Sequence, residues 1–527
     1  MQALSGLYNK TPMPTPLRHF TERFKGRLVE MAIGDSDIAV RCATLGVIAA
    51  IDRHGADSQD DGNILDDAQK DILAVQLFDV EAKIRKACAP FVSKLLRQAI
   101  EAHDASSDAD SSGAAGGVDA DGQMGADQAK LRFKVLGELL VKLGNVLDNR
   151  LRNVSEGSSA LEEDEGTLQL YSTSGDQARQ GRIALAVKAL WEVDDGLRNI
   201  QHLTELLSLD HSYSGDIAAS SSSSDGGEAL PQAPAHVKLT SDEETVLIEV
   251  LLALLRNVRD SSTAEAEEGE SGFSEATRIL IQAVPRFFAK YKTDATRIEG
   301  LLLIPQIIKL DEYLELNSLA AFASLWDDIV DQFVRHLEPT LLDNAVNAMR
   351  ALAAVKGFGE TNKAKLTALQ EQLLATLRGA AQNLDLEQDD LSERLVHTLS
   401  LSMRRLRVLA AAFDSVQLME SDDSGKLSTA WELALAVASR GRVGTDRAHE
   451  AGMVQDALTT LYWYLIWKAH QLKAAVVAGT MQQSALETFK ERRQIVIGLL
   501  GDLVGASSSA GVAVGVQRVV SRSSTLN

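Results

Sequence analysis

The sequence predicts an all-α protein built from stacked helix pairs, with polar loops set between some of them. Three observations carry that expectation. Apolar residues recur at three- and four-residue spacing through most of the chain and almost nowhere alternate as in a strand. Proline is scarce, 9 in 527 residues, and four segments rich in Ser, Gly and acid interrupt the helical pattern. More than a dozen helices exceed what one core holds, because single cores stop growing beyond about 250–300 residues. The helix-pair rhythm therefore fits a HEAT-type α-solenoid better than one bundle, although no tight sequence repeat is present.

The elements follow in order. Leu17, Phe20, Phe24, Leu28 and Met31 fall on one stripe of a first helix. Ser36 or Asp37 caps a second, running through Ile38, Cys42, Leu45, Ile48 and Ile51. Asp66 or Asp67 caps a third through Ile72, Val75 and Phe78, and a fourth runs from about Val80 to Ile100. Further helices are expected over 127–153, 181–209, 239–259, 274–291, 294–308, 319–336, 338–356, 361–384, 388–413, 427–440, 448–475 and 482–504. Leu301, Leu302 and Ile304 have no polar face to offer solvent and should be core, with Pro305 ending their helix.

These elements define the expected organisation: helices over 1–100, an acidic linker over 101–127, HEAT-like repeats over 128–504 and a flexible tail over 505–527. Disordered loops are expected near 154–178, 210–236 and 260–271, since such compositions bury too little apolar surface to offset their ordering entropy. The formal charge of -21 resides there: the linker and the three loops hold 22 acids and no Lys or Arg. The rest of the chain is close to neutral.

No residue set points to catalysis. The ten histidines are scattered, and none pairs with another at the spacing of a helix-borne zinc site. The segment around Gly425 and Lys426 lacks the spacing of a phosphate-cradling loop. Cys42 and Cys88 lie in apolar helical patterns and read as small core residues of a reducing compartment. No apolar run approaches the roughly 18 residues of a membrane span, and the N-terminus has no secretory pattern. The expectation is a soluble intracellular protein that is not an enzyme and needs no metal or cofactor.

Interaction surface remains. Arg18, Arg23, Lys25 and Arg27 lie on the first helix, Lys83, Arg85, Lys86, Lys94 and Arg97 on the fourth, and Arg404, Arg405 and Arg407 stand together later. Basic residues on a solenoid helix are most often its solvated face; the functional alternative is a groove for phosphates or an acidic partner.

Several stretches carry a resemblance. Ala3–Val40, with LYNK, FTERFKGRLVEM and the start of the next helix, resembles the later half of the stromalin conservative domain of the stromal-antigen subunits of cohesin. Similar stretches follow in the family's order: Ala189–Leu209 with Trp191 in register, Leu239–Arg256, and Ala283–Leu352 with AKYKTDA, LLLIPQ and LDEY. RLRVLAAAFDS and ALTTLYWYLIWK resemble later family helices, so the likeness spans roughly residues 3–475. It implies a nuclear, chromosome-associated HEAT-repeat protein without catalytic activity. Its implied partners are the kleisin subunit, the SMC ring of cohesin, loading and release regulators carrying aromatic motifs, and DNA together with kleisin; no membrane is involved.

By position, Arg23 corresponds to an arginine in the family's pocket for aromatic peptide motifs. Arg18, Lys25, Arg27, Lys83, Arg85 and Lys86 are candidates for a basic DNA or partner surface. By the same resemblance the chain starts inside the stromalin domain, downstream of the tryptophan that completes that pocket. The alternative function is a generic HEAT or armadillo scaffold, such as a transport adaptor.

Overall fold

Capping side chains and turn residues set the element boundaries. The computed structural model describes residues 4, 7–8, 15–57, 65–110, 125–156, 176–212, 231–264, 272–381, 386, 391–421, 429–442 and 448–507. Among them there are helices and turns and no strand, with one isolated bridge between Asp210 and Gln232. The fold class is the expected all-α, HEAT-repeat type. Contacts group the chain into two units, Met1–Glu312 and Tyr313–Asn527.

In the first unit α1 (Thr15–Gly34), α2 (Ile38–Asp57), α3 (Asp67–Ala74) and α4 (Ala82–Asp110) are followed by α5 (Ala126–Glu156), α6 (Asp176–Trp191) and α7 (Ile200–Leu207). Then come α8 (Ser241–Ala264), α9 (Gly272–Tyr291), α10 (Ala295–Leu301) and α11 (Ile304–Ile307). Asp66 caps α3 through a capping box with Gln69, so the cap inferred from the sequence is formed by the first of the two candidates. Packing joins successive and alternate helices: α1 on α2, α2 on α4, α4 on α6, α6 on α8.

The helix expected over 181–209 is broken. After Trp191 the chain turns at Asp194, whose carboxylate accepts from the Gly196 amide at 3.0 Å and pairs with the buried Arg132 of α5. A Cβ at Gly196 would collide with the Arg132 side chain, so the turn needs glycine there for space. Leu301, Leu302 and Ile304 are core, at 1%, 0% and 0% exposure. Pro305 does not end their helix: α10 has already stopped at Leu301, and Pro305 occupies the first turn of α11, where its missing N–H costs no hydrogen bond.

α12 (Glu312–Glu315) lies at the boundary. The second unit continues with α13 (Leu319–Arg335), α14 (Pro339–Ala353), α15 (Gly359–Ala381), α16 (Glu393–Ala412) and α17 (Val416–Glu420). α18 (Ala430–Ser439), α19 (Ala448–Val477) and α20 (Gln483–Ser507) complete it. Trp431, Leu433 and Val437 of α18 bury against Leu458, Leu461 and Tyr464 of α19 and Leu499 and Leu503 of α20. One polar knot crosses this core. Glu420 accepts from Tyr464 at 2.6 Å, Lys468 at 2.8 Å and Arg492 at 3.2 Å, while the Arg492 guanidinium lies 5.0 Å from the Trp431 ring centre.

Of the segments expected to be loops or tail, residues 111–124, 157–175, 213–230, 265–271 and 508–527 lie outside the described residues. At their described edges helix reaches further than the composition suggested, with α4 running to Asp110 and α8 to Ala264. The base of the 210–236 segment is tied. The Asp210 amide donates to Pro231 O and the Ala233 amide to Asp210 O, each at 2.9 Å. His211 accepts from the Leu239 amide at Nδ1 (3.2 Å), which leaves the Nε2 hydrogen for Leu206 O at 2.9 Å. Among the described residues no helix is long and apolar enough to cross a membrane.

Candidate partner-binding surface

The surface that sequence reasoning singled out is α1, and its orientation is set by what it buries. Thr21, Leu28, Val29 and Ala32 face inward, and the Tyr8 and Thr21 hydroxyls bond at 2.6 Å. α1 is fixed to its neighbours through Arg41 of α2, which is 2% exposed. Its guanidinium donates to Gln76 Oε1 at 2.6 Å, to Asp79 Oδ2 at 2.5 Å and to Ala32 O at 3.4 Å. Asp79, fully buried, also accepts from the Glu81 amide at 2.8 Å. Both Asp79 carboxylate oxygens and the Nε and Nη2 of Arg41 are engaged, the kind of hydrogen bonding that an ion pair this deep needs in order to hold.

That orientation revises the apolar stripe. Phe24 is 40% exposed, and its ring lies 4.6 Å from that of Phe20, with the Arg23 guanidinium 5.6 Å from the Phe24 centre. The inward face is rotated from the one the Leu17–Phe20–Phe24 spacing suggested. Thr21 and Ala32, small enough for close helix approach, take the inner positions, and Phe24 is left outside. Arg23 is exposed and makes no ion pair among the described residues. An exposed guanidinium beside an accessible aromatic can hydrogen-bond a peptide carbonyl or stack on a second ring.

The other basic candidates separate. Arg85 is not a surface residue: it is 8% exposed, and its Nη1 donates to Asp79 O and Val80 O, both at 2.6 Å. It staples the turn before α4, and its burial lowers its pKa below the usual arginine value. Lys86 is exposed but pairs with Glu192 at 2.8 Å, and Arg27 pairs with Glu30 at 2.9 Å. Lys83 is exposed and Lys25 half-buried. Arg18 lies within α1, and its side chain is outside the described residues. Of the later cluster, Arg405 donates to Phe333 O at 3.2 Å, His336 O at 3.2 Å and Val334 O, closing the carbonyl end of α13; Arg404 and Arg407 pair with Asp456. Spacing does not distinguish these inward arginines from outward ones, because the guanidinium reaches several ångströms past the helix face that carries it.

Cys88 is fully buried and its thiol donates to Leu73 O at 3.4 Å, with burial pushing its pKa well up, so it is held as a neutral thiol. Cys42 is half-buried, and desolvation raises its pKa despite Arg41 and Lys83 nearby. Among the described residues no three His, Cys, Asp or Glu stand close enough to hold a metal ion. A shallow cleft between α8 and α10 is lined by Thr245, Ile248, Leu252, Arg256, Thr296 and Gly300. It does not adjoin the α1 surface.

The class defined by these observations is an all-α, HEAT-type scaffold whose polar clusters serve packing. Comparison with known proteins places it further. Residues 229–467 match the family described as cohesin subunit SCC3/SA, HEAT-repeats domain. Over those residues the chain is similar to the HEAT-repeat domain of the SCC3/SA, or stromalin-type, subunits of cohesin, which supports a subunit of that type. No curated protein matches it. A solved structure from work titled "A conserved phosphorylation switch controls the interaction between cadherin and beta-catenin in vitro and in vivo" aligns over 98% of this chain and 99% of that one, at 12% identity and a TM-score of 0.26. At that TM-score no further conclusion follows from the likeness.

Proposed function

We propose that this chain is a non-enzymatic scaffold of cohesin that binds the kleisin subunit and, together with it, DNA and regulators of the SMC ring, and that it acts in the nucleus on chromosomes. The SCC3/SA domain match over residues 229–467 carries this reading. Two features agree with it. The polar clusters of the described core, such as Arg41–Asp79 and Glu420–Tyr464–Arg492, are closed on themselves and leave no nucleophile–base pair exposed. Arg23, beside the exposed Phe24, offers α1 as the docking face for an aromatic peptide motif of a regulator.

The test is co-purification of the chain with a kleisin fragment, followed by titration with a regulator peptide bearing an aromatic motif. Kleisin capture is expected, and Arg23→Gln should weaken the peptide by about 2 kcal/mol, roughly 30-fold, the scale of an interface hot spot. Failure to capture kleisin would refute the cohesin reading. Equal peptide affinity in wild type and variant would remove Arg23 from the site while leaving the scaffold role standing.

A further inference from the structure

Apolar side chains that a fold leaves uncovered mark contact surfaces when they gather in one place. In the second unit Leu314, Leu316 and Leu319, at 37%, 43% and 55% exposure, stand within a single turn of chain. No other stretch of that length among the described residues holds as many large exposed apolar side chains. The turn that displays them is rigid. Asn317 is left-handed at φ 52°, the Ser318 amide donates to Tyr313 O at 2.8 Å and the Asn317 amide to Leu314 O at 3.0 Å. These bonds close α12 as a Schellman motif, which leads directly into α13.

Beneath the leucines lies an aromatic stack. The Tyr313 and Phe322 rings meet edge to face at 5.5 Å, Phe322 stacks on Phe358 at 3.8 Å, and all three are buried. The stack joins α12 and α13 to the short 3-10 turn Lys356–Phe358, and Leu314 packs where a Cβ at Gly357 would be. The leucines therefore share one rim with the cations around that turn: Lys356 itself, Arg350 in the last turn of α14 and Lys363 in the first turns of α15. Asn362 ties α15 to the end of α14, donating through Nδ2 to Leu352 O at 2.9 Å while its Oδ1 accepts from the Trp326 indole at 2.9 Å. All three cations are exposed, and none has an ion-pair or hydrogen-bond partner among the described residues. Lys365, close by, is neutralised by Asp327 at 2.5 Å. Of the acids beside the patch, Glu315 is engaged in an interaction of its own and Glu360 remains, which leaves positive charge in excess.

We infer that this patch docks an acidic amphipathic helix of a partner protein, with apolar side chains of the helix on Leu316 and Leu319 and its carboxylates on Lys356, Lys363 and Arg350, a role beyond the scaffold reading and independent of it. Charge complementarity and the apolar rim together select the occupant. Cations alone would suit any anion, but uncovered leucines add nothing to a phosphate contact, so the occupant carries apolar side chains as well as carboxylates. An extended peptide adds to the edge of a sheet, and the described residues hold no strand. A proline-rich segment needs aromatic rings at the surface, and Tyr313, Phe322 and Phe358 are buried beneath it. A helix satisfies its own backbone and presents spaced apolar side chains flanked by charge, which is what the patch can cover.

The experiment titrates the full chain with a synthetic peptide that places Leu at i, i+3, i+4 and i+7 of a helix and Glu on its other face, read by fluorescence anisotropy. Wild type should bind it, and should bind versions with Ser for Leu or Lys for Glu about tenfold more weakly or worse. L316S/L319S and K356E/K363E should each weaken the Leu/Glu peptide by about tenfold or more. The loss in K356E/K363E should shrink between about 50 and 200 mM salt, because screening already weakens the wild-type contact. V476S/V477S, which removes exposed apolar side chains of α19, should bind as wild type does. Thermal melts accompany each variant, and K356E/K363E, which touches no apolar contact, carries the test if L316S/L319S unfolds. No binding by wild type, unchanged affinity in both patch variants, or an equal loss in V476S/V477S would overturn the inference. Weakened binding of a short DNA duplex by K356E/K363E, with the peptide unaffected, would overturn it and make the patch a nucleic-acid contact. A wild-type dimer in sedimentation that L316S/L319S converts to monomer would overturn it too, with a second copy of the chain as the occupant.

Discussion

Removing one partner of the Arg41–Asp79 pair should destabilise the helices that carry the α1 surface more than any surface change there. Asp79 is 0% and Arg41 2% exposed, so Asp79→Ala leaves a guanidinium buried with only Gln76 Oε1 and, at 3.4 Å, Ala32 O as acceptors. It also strips the Glu81 amide of its carboxylate cap. A buried charge left without its counter-ion costs about 3–5 kcal/mol, to which the lost cap adds about 0.5–2 kcal/mol. Because the chain has two units, a global melt would mix their transitions, and native-state hydrogen exchange is the better assay. Amides of Leu45, Val47, Ile48 and Ile51 in α2 should lose about 300-fold or more in protection, since the two costs together come to at least about 3.5 kcal/mol and each tenfold is about 1.4 kcal/mol. The double change Arg41→Met with Asp79→Leu should recover most of that loss, because a well-packed apolar pair can replace a buried ion pair at little cost. A loss below about 1 kcal/mol in Asp79→Ala, with Arg41 still in place, would refute the argument that this pair holds α1 and α2 together.

Two predictions concern pH. His211 is buried, and desolvation together with the nearby Lys290 lowers its pKa, with Glu244 and Asp210 opposing the shift; the unfolded chain therefore takes up the proton first. Stability of the first unit should fall as pH drops below the unfolded value of about 6.5 and level off below the folded pKa. His211→Gln should flatten that dependence, and an unchanged acid limb in urea titrations would show that His211 is not its source. Asp328 of α13 behaves in the opposite sense: burial, with Asp327 and Asp331 adding repulsion, raises its pKa to about 6. The folded form holds its proton more tightly than the unfolded one, so stability is lost as pH rises from about 4 through about 6. Asp328→Asn should stabilise the second unit at pH 7.5 by about 1 kcal/mol, allowing for partial solvent screening, and hardly at all at pH 4.5. A destabilised variant at pH 7.5 would show that the carboxylate has a partner that offsets its burial.

The fold class was legible because helix periodicity survives every local irregularity. Leu28, Leu45, Ile48, Ile84 and Phe91 fall where a 3.6-residue repeat puts them, and all are buried. The breaks were less legible, and each has a specific cause. The interruption after Trp191 follows from an ion pair with Arg132, 62 residues earlier, and no local pattern encodes it. Pro305 signals a helix boundary in the sequence, but it fits the first turn of one helix as well as the end of another. Only the preceding stop at Leu301 decides between them.

The interaction surface was harder to read for a related reason. An arginine's role depends on what lies within the reach of its long side chain, and the sequence records only where that chain starts. Arg23, Arg85 and Arg405 all sit in helical or near-helical segments among other basic residues, yet one is exposed beside Phe24, one closes a turn and one closes the end of α13. The acceptors that fix the last two are backbone carbonyls, which every residue possesses and no motif announces. Unpaired cations such as Arg350, Lys356 and Lys363 are identified by the reverse test, the lack of any acceptor within reach among the described residues. Counting basic residues thus locates helices that could bind an anion. Only the distribution of acceptors around each side chain separates a charge the fold has used from one it leaves available to a partner.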